Sequence, residues 1–178
     1  MSAIRNAVEA DLDAIERIIN AAAAKYRGAI PDDCWHEPYM GRAELEREIE
    51  CGVAFSVYED ERGIAGAMGL QSVRDVTLIR HAYVQPARQG QGVGSALMRS
   101  LLPKAQTPLL VGTWSAAHWA IRFYEGHGFR LVTQAEKDRL LDAYWKISPR
   151  QRETSVVLLQ TSGKAIGGEG GIRTRVGL

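Results

Sequence analysis

This chain has few cysteines, almost no excess of charge of either sign and no long apolar run near its start. Its 178 residues include two cysteines, Cys34 and Cys51, without metal-ligand spacing, so we expect free thiols, a cytoplasmic location and no metal. Lysine and arginine total 22 against 21 acidic residues, a balance that does not favour a nucleic-acid partner. The most apolar early stretch, residues 18–24, is too short to span a membrane, and the acidic first residues do not resemble a signal peptide, so we expect no membrane partner.

The chain instead contains an ordered series of strand-like and helix-like segments. Apolar residues at helical spacing follow Asp11, which we expect to cap the first helix. Further helices are predicted at 42–50, 93–105 and 119–125, and strands at 3–7, 53–58, 64–73, 76–84, 108–114, 129–133 and 154–160. This order predicts one α+β domain over residues 1–160. Residues 161–178 contain six glycines and no apolar period, so we expect a flexible tail there.

The sharpest local signal is the segment Arg88-Gln-Gly-Gln-Gly-Val-Gly-Ser95, between a predicted strand and a predicted helix. Glycine allows close backbone approach to a ligand, and the first amides of a helix have no partner within the helix, so such a junction favours a phosphate. A glycine-rich connection without a ligand is the alternative. The segment has no P-loop lysine, and the next strand has no acidic residue of a dinucleotide site.

Three elements in order resemble the GNAT acyltransferase superfamily. Gln89-x-x-Gly92-x-Gly94 is similar to its Q/R-x-x-G-x-G/A signature. Val84-Gln-Pro86 precedes it like the family's Val-x-Pro strand end, and 120–129 (AIRFYEGHGF) follow like the family's A-x-x-F-Y-x-x-x-G-F segment. Many relatives have Asn at the position of Ala117, whose side-chain contact to the cofactor is therefore missing.

The resemblance implies a fold, a cofactor and a site. The fold is a mixed, mostly antiparallel central sheet, splayed at the cofactor site, with helices on both faces. The co-substrate is acetyl-CoA, its pyrophosphate on the loop amides and its pantetheine along the strand that ends at Val84, whose N–H would face the thioester carbonyl. The residues expected to bind the cofactor are Tyr83, Val84, Arg88, Gln89, Gly90, Gln91, Gly92, Val93, Gly94 and Ser95.

The resemblance also implies direct transfer of acetyl from the thioester to a primary amine, carried by a small molecule or a peptide. Tyr124 matches the family tyrosine near the cofactor sulfur and is the candidate general acid, with packing as the alternative. The strand 77–83 contains no acid, so His81 is the candidate base, because histidine ionises near neutral pH. Asp75, His36, Glu37 and a water chain remain rivals.

The acceptor side is less defined. The loop 30–39 combines acids with aromatics, which suits an ammonium group or, equally, a solvated loop anchored by Trp35. Tyr144 and Trp145 either line the same pocket or pack elsewhere. A non-catalytic acyl-CoA-binding module is the alternative function. The sequence does not predict the oligomeric state, and a homodimer is one of the alternatives.

Overall fold

The computed structural model of the protein describes residues 1–106 and 108–161. The strands of this part are β1 (Ala3–Asn6), β2 (Val53–Asp60), β3 (Gly63–Val73), β4 (Val76–Val84), β5 (Leu109–Trp114), β6 (Arg130–Leu131) and β7 (Ser155–Gln160). The helices are α1 (Leu12–Ala23), α2 (Arg42–Glu50), α3 (Val93–Leu101), α4 (His118–Glu125), α5 (Gln134–Tyr144) and α6 (Pro149–Thr154). Each predicted strand and helix is therefore present.

The strands form one sheet in the order β1-β2-β3-β4-β5-β7-β6. Neighbours are antiparallel except β4 and β5, whose parallel pairing covers only Thr77 with Leu109 and Leu78 with Leu110. Beyond Leu78, β4 continues alongside β3 and β5 continues alongside β7. The two strands therefore diverge towards their carboxyl ends, and the predicted mixed, splayed sheet is confirmed.

Helices cover both faces of this sheet. On one face Ile19 of α1 and the neighbouring α2 pack on Val57 of β2. On the other, Leu97 of α3 and the neighbouring α4 pack on Met68 of β3. Helix α5 adds a third cluster by placing Leu141 against β4, β5 and β7. Burying each such aliphatic side chain stabilises the fold by about 1.5–3 kcal/mol, which fixes the helices that border the diverging strands.

Two helices are missing from the sequence prediction. Helices α5 and α6 lie between the last two predicted strands. Each begins with a polar residue whose side chain accepts a backbone N–H in the first turn, Thr133 from Glu136 and Ser148 from Gln151. These capping boxes are readable in the sequence, and α5 was missed because its apolar stripe is weak.

Two predicted helix ends need correction. Helix α3 stops at Leu101 rather than at 105, because Pro103 cannot donate a backbone hydrogen bond and a single 3-10 turn, Leu102–Lys104, follows. Asp11 lies at the predicted cap position, but its carboxylate does not cap α1. It accepts the Val8 N–H at 2.8 Å and pairs with Arg5 at 2.6 Å.

In the described part of the chain, no helix has the length and apolar character needed to cross a bilayer. Cys34 and Cys51 are both free thiols, as predicted. The predicted tail lies outside the described residues after Thr161.

Candidate active site

A cavity of about 430 Å³, called the cleft below, lies where β4 leaves β5. Helices α3 and α4 border it, and the end of α1 covers it. A volume of this size is typical of a small-molecule site. Its lining residues are Ala22, Lys25, Tyr26, Ala67, Met68, Ala82, Tyr83, Val84, Arg88, Gln89, Gly90, Gly92, Val93, Gly94, Ser95, Leu97, Trp119, Ala120, Phe123 and Tyr124. Of the predicted cofactor residues, only Gln91 is missing from this lining.

Residues 89–95 form the amide end of the cleft. Among the described residues, none accepts a hydrogen bond from the backbone N–H groups of 90–95, and the first bond of α3 runs from Ala96 N–H to Gly92 C=O. Gly90 and Gly92 have φ of +75° and +82°, the left-handed region that favours glycine. A Cβ added at either position would meet no atom within 4 Å. The amides and the open space beside them therefore offer an anion site at the start of α3.

Gly94 is required for a different reason. A Cβ there would approach the Phe123 ring to 3.3 Å, so Gly94 brings α3 close to α4. A side chain at Gly94 would therefore crowd the Phe123 ring, so a substitution there would disturb the packing of α3 on α4 as well as the space in the cleft.

Arg88 and Gln91 stabilise the conformation of the glycine segment through contacts of their side chains. Arg88 is buried and forms an ion pair with Asp60 at the end of β2, and this contact holds the Asp60 pKa below its usual range. The Arg88 Nε also donates to Gln91 Oε1 at 3.2 Å, while Gln91 Nε2 donates to the Ala87 carbonyl at 3.0 Å. The Arg88 charge is thus already neutralised, and these two side chains hold the shape of the segment.

Strand β4 carries a bulge just before the cleft. Gly69 of β3 pairs with Arg80, but Ala67 pairs with Tyr83, so two residues of β4 oppose one of β3. His81 adopts φ +51° there, which is uncommon for a residue with a side chain. After the bulge, the Val84 carbonyl accepts the Gln89 side-chain amide at 3.2 Å. The end of β4 is therefore tied to the glycine segment.

Three tyrosines, Tyr26, Tyr83 and Tyr124, form the phenol end of the cleft. Burial raises the pKa of Tyr26 to about 12 and raises those of Tyr83 and Tyr124 well above the usual value. The Tyr83 hydroxyl donates to the Tyr39 hydroxyl across a long 3.4 Å contact. Phenols in such surroundings stay neutral and can donate hydrogen bonds to a ligand.

None of the candidate bases lines the cleft in the described residues. His81 Nε2 lies 2.9 Å from Glu48 Oε2 on α2, and the pKa of Glu48 is lowered by this contact and by Arg80. Asp75 accepts the Tyr144 hydroxyl at 2.7 Å, away from the cleft. A base acting from any of these positions would need an intervening group.

His36 and Glu37, the remaining rivals, lie in the loop 30–39. His36 Nδ1 is 2.8 Å from the Pro38 carbonyl, and Glu37 pairs with Arg27 and accepts the Trp35 indole N–H. These contacts occupy both side chains within the loop.

The loop reaches the cleft through aromatic rings. Trp35 stacks on Tyr39 at 5.5 Å between centroids, and Tyr39 meets the edge of Tyr83 at 6.3 Å. Trp145 does not belong to this group: it packs over Gly112 beside a separate cavity of about 120 Å³. Tyr144 bonds Asp75, so neither Tyr144 nor Trp145 lines the cleft.

Sequence reasoning missed several lining residues. Lys25 extends over the Trp119 ring at 5.1 Å, and Tyr26 meets the edge of the same ring at 5.1 Å. Nothing local marks these positions, because the chain brings the end of α1 to the start of α4 only when folded. Phe123, by contrast, precedes the predicted Tyr124 in the motif and could have been named.

Residues 52–131 match the family model described as "Acetyltransferase (GNAT) domain". This range begins next to β2 and ends with β6, so it includes the bulge, the amide end and Tyr124. No curated protein matches the sequence significantly.

Solved structures share the fold over nearly the whole chain. PaiA N-acetyltransferase from Thermoplasma acidophilum, in complex with coenzyme A, has a TM-score of 0.68 and 14% identity, covering 91% of this chain and 99% of its own. The protein yncA from Salmonella typhimurium, solved with acetyl-CoA, has a TM-score of 0.62 and 23% identity, covering 94% and 96%. The ribosomal-protein-S18-alanine N-acetyltransferase from Escherichia coli has a TM-score of 0.61 and 19% identity, covering 97% and 100%. Residues 52–131 therefore match a GNAT acetyltransferase domain, and nearly the whole chain shares the fold of these solved acetyltransferases.

Proposed function

We propose that the protein is an N-acetyltransferase that moves the acetyl group of acetyl-CoA directly to a primary amine. The single observation that carries this proposal is the cleft, which joins an anion site of free backbone amides to three neutral phenols. The family supports acetyl transfer in general, and the amine acceptor and the direct mechanism are our extension of it. The order of the two ends suits a long ligand with phosphates at one end and a reactive group at the other.

The amide end fits the pyrophosphate of the cofactor. Backbone N–H groups at a helix start donate to phosphate oxygens, and the helix dipole adds partial positive charge. The glycines at 90 and 92 leave room for close approach. The solved structures of PaiA with coenzyme A and of yncA with acetyl-CoA support this assignment.

The phenol end fits the reacting group. Acetyl-CoA, when bound, supplies the acetyl thioester. Tyr124 then donates its phenolic proton to the departing sulfur. Burial raises the pKa of Tyr124, which keeps the phenol protonated but also makes it a weaker acid, so the transfer depends on the negative charge that develops on the sulfur. The diverging backbone of β4 borders the same space, where we place the Val84 N–H against the carbonyl oxygen.

Removal of the amine proton takes a less direct route. The side chain of His81 lies outside the cleft, so we propose that it accepts this proton through an intervening group, with Glu48 orienting the imidazole. A neutral amine can also lose its proton to solvent after the attack. The cysteines Cys34 and Cys51 do not line the cleft, which favours direct attack over an acyl-cysteine route.

The test is release of free thiol from acetyl-CoA, read with a thiol-reactive dye across a panel of amino acids, polyamines, aryl amines and alanine-initiated peptides. We include such peptides because the Escherichia coli relative is named for a ribosomal-protein alanine. Mass spectrometry should find one acetyl group on the amine. Acetyl-CoA binding without thiol release from any amine would favour the non-catalytic acyl-CoA-binding module, and failure to bind acetyl-CoA would overturn both functions.

A further inference from the structure

A serine and a histidine meet beside the amide end of the cleft. Ser95 is the third residue of α3 and lines the cleft, and its Oγ lies 3.1 Å from Nε2 of His127. His127 belongs to the turn after α4, where its ring packs on Phe123 at 4.8 Å between centroids. Gln160 of β7 donates to the His127 backbone carbonyl at 2.8 Å and holds this turn in place. The pair therefore joins three elements at the point where α3 begins.

The proton on His127 Nε2 decides what the Ser95 hydroxyl can do. A hydroxyl carries one hydrogen. When Nε2 is bare, Ser95 must donate that hydrogen to it, and nothing remains for a ligand. When Nε2 carries a proton, the ring donates to Ser95 Oγ and the hydroxyl hydrogen is free to point into the cleft. The neutral ring allows either arrangement through its two tautomers, whereas the imidazolium form, which has gained one proton, always carries hydrogen on Nε2 and allows only the second.

The surroundings of His127 favour the neutral ring in the free protein. Burial and the Arg99 charge both lower its pKa. Arg99 is the charged group that faces the ring from α3, while α4 contributes the uncharged Phe123 and β7 the uncharged Gln160. A bound phosphate acts in the opposite direction, because an anion stabilises the imidazolium form.

We propose that His127 is a positioning residue for the cofactor phosphates. When the phosphates bind, His127 takes up a proton, and its Nε2–H then turns the Ser95 hydroxyl towards the phosphates. This inference rests on the proposed function, which places those phosphates at residues 89–95. Its consequence follows from linkage: if binding raises the pKa of His127, acetyl-CoA must bind more tightly as the pH falls through the interval between the free and bound pKa values. One unit of difference corresponds to a tenfold change in affinity.

The experiment measures acetyl-CoA affinity by calorimetry from pH 5.5 to 8, for the wild type, His127→Gln, Ser95→Ala and the double variant. A phosphate monoester of the ligand also titrates near pH 6. The test is therefore the difference in the pH dependence of affinity between the wild type and each variant. We expect His127→Gln to remove a rise in affinity of about tenfold towards low pH. The wild type should take up more protons on binding than His127→Gln, seen as a larger dependence of the heat on the buffer.

The double variant tests whether His127 acts through Ser95. We expect Ser95→Ala to weaken binding about tenfold at pH 6, roughly what one hydrogen bond to a charged group contributes. Adding His127→Gln should cost little more, since the two changes break one interaction. His36→Gln is the matched control and should follow the wild type at every pH. Melting temperatures report whether each variant is folded.

The outcomes separate this inference from the proposed function. If the wild type does not bind acetyl-CoA, the proposed function fails. If it binds, but His127→Gln keeps the wild-type pH dependence or the double variant shows additive losses, the function stands and the role of His127 is overturned.

Discussion

The two ends of the cleft are built from different parts of the chain. At the amide end the groups on offer are backbone N–H groups of residues 90–95, held by glycines and by the ion pair of Arg88 with Asp60. At the phenol end they are the side chains of Tyr26, Tyr83 and Tyr124, contributed by three separate segments. A change at the amide end must therefore alter the backbone, and we expect it to affect binding. A change of one hydroxyl at the phenol end leaves the backbone intact, and we expect it to affect turnover.

The largest expected effect is at Tyr124. Tyr124→Phe keeps the ring packed against Phe123 and Phe129 but removes the hydroxyl. We expect kcat to fall about 10²-fold, at the low end for general acids because a thiolate leaves readily, with little change in acetyl-CoA affinity. Tyr144→Phe, which removes a hydroxyl bonded to Asp75 outside the cleft, is the control for steady-state kinetics. A Tyr124→Phe enzyme with most of its kcat would make Tyr124 a packing residue.

The second-largest effect is expected at Gly92, where the backbone conformation controls how closely a ligand can approach. Gly92→Ala puts a methyl group into the open space beside the amides and strains a left-handed residue by about 1–2 kcal/mol. We expect acetyl-CoA affinity to fall about tenfold by calorimetry.

Gly52→Ala is the matched control for Gly92→Ala. Gly52 also has positive φ, +99°, and an added Cβ there also meets no atom within 4 Å, but it lies outside the cleft. Both variants should lose similar stability, and only the first should lose affinity. Equal affinity in the two variants would show that the ligand does not approach Gly92.

A smaller effect is expected at His81, which lies outside both ends. If His81 takes the amine proton, His81→Gln should lower kcat several-fold while leaving acetyl-CoA binding unchanged. Glu48→Gln should then have the same kinetic effect, because the Glu48 carboxylate orients the imidazole at 2.9 Å. Rates unchanged in both variants, measured with the best amine of the panel, would leave solvent as the proton acceptor.

The smallest effect should come from removing residues 161–178. The sequence of this segment offers no apolar period to pack, and the motifs that form the two ends of the cleft all precede residue 130. We propose that residues 1–160 form the whole acyltransferase domain. A chain ending at Gln160 should melt within about two degrees of the full chain and keep its acetyl-CoA affinity. A larger fall in melting temperature would extend the domain beyond Gln160.

The sequence predicted the two ends of the cleft unequally. The amide end is contiguous in the chain, so glycine spacing and the strand–helix junction were enough to name it. Tyr124 was found only through its motif, and Tyr26 not at all, because the phenol end depends on contacts between segments distant in sequence. The same reason hid the partners of the predicted residues: Glu48 beside His81, Asp60 beside Arg88 and His127 beside Ser95. Such pairs arise from packing that no local pattern records.

The short pairing of β4 with β5 leaves the later residues of β4 without a β5 partner on that side of the strand. Exposed strand edges normally invite association with other chains. Here residues of α1, α3 and α4 line the gap, so another polypeptide strand would be hindered from pairing there. A narrow, amide-containing ligand would not be. Substrate binding would thus also complete the architecture of the sheet, and the cell's supply of that ligand would protect the protein from thermal unfolding.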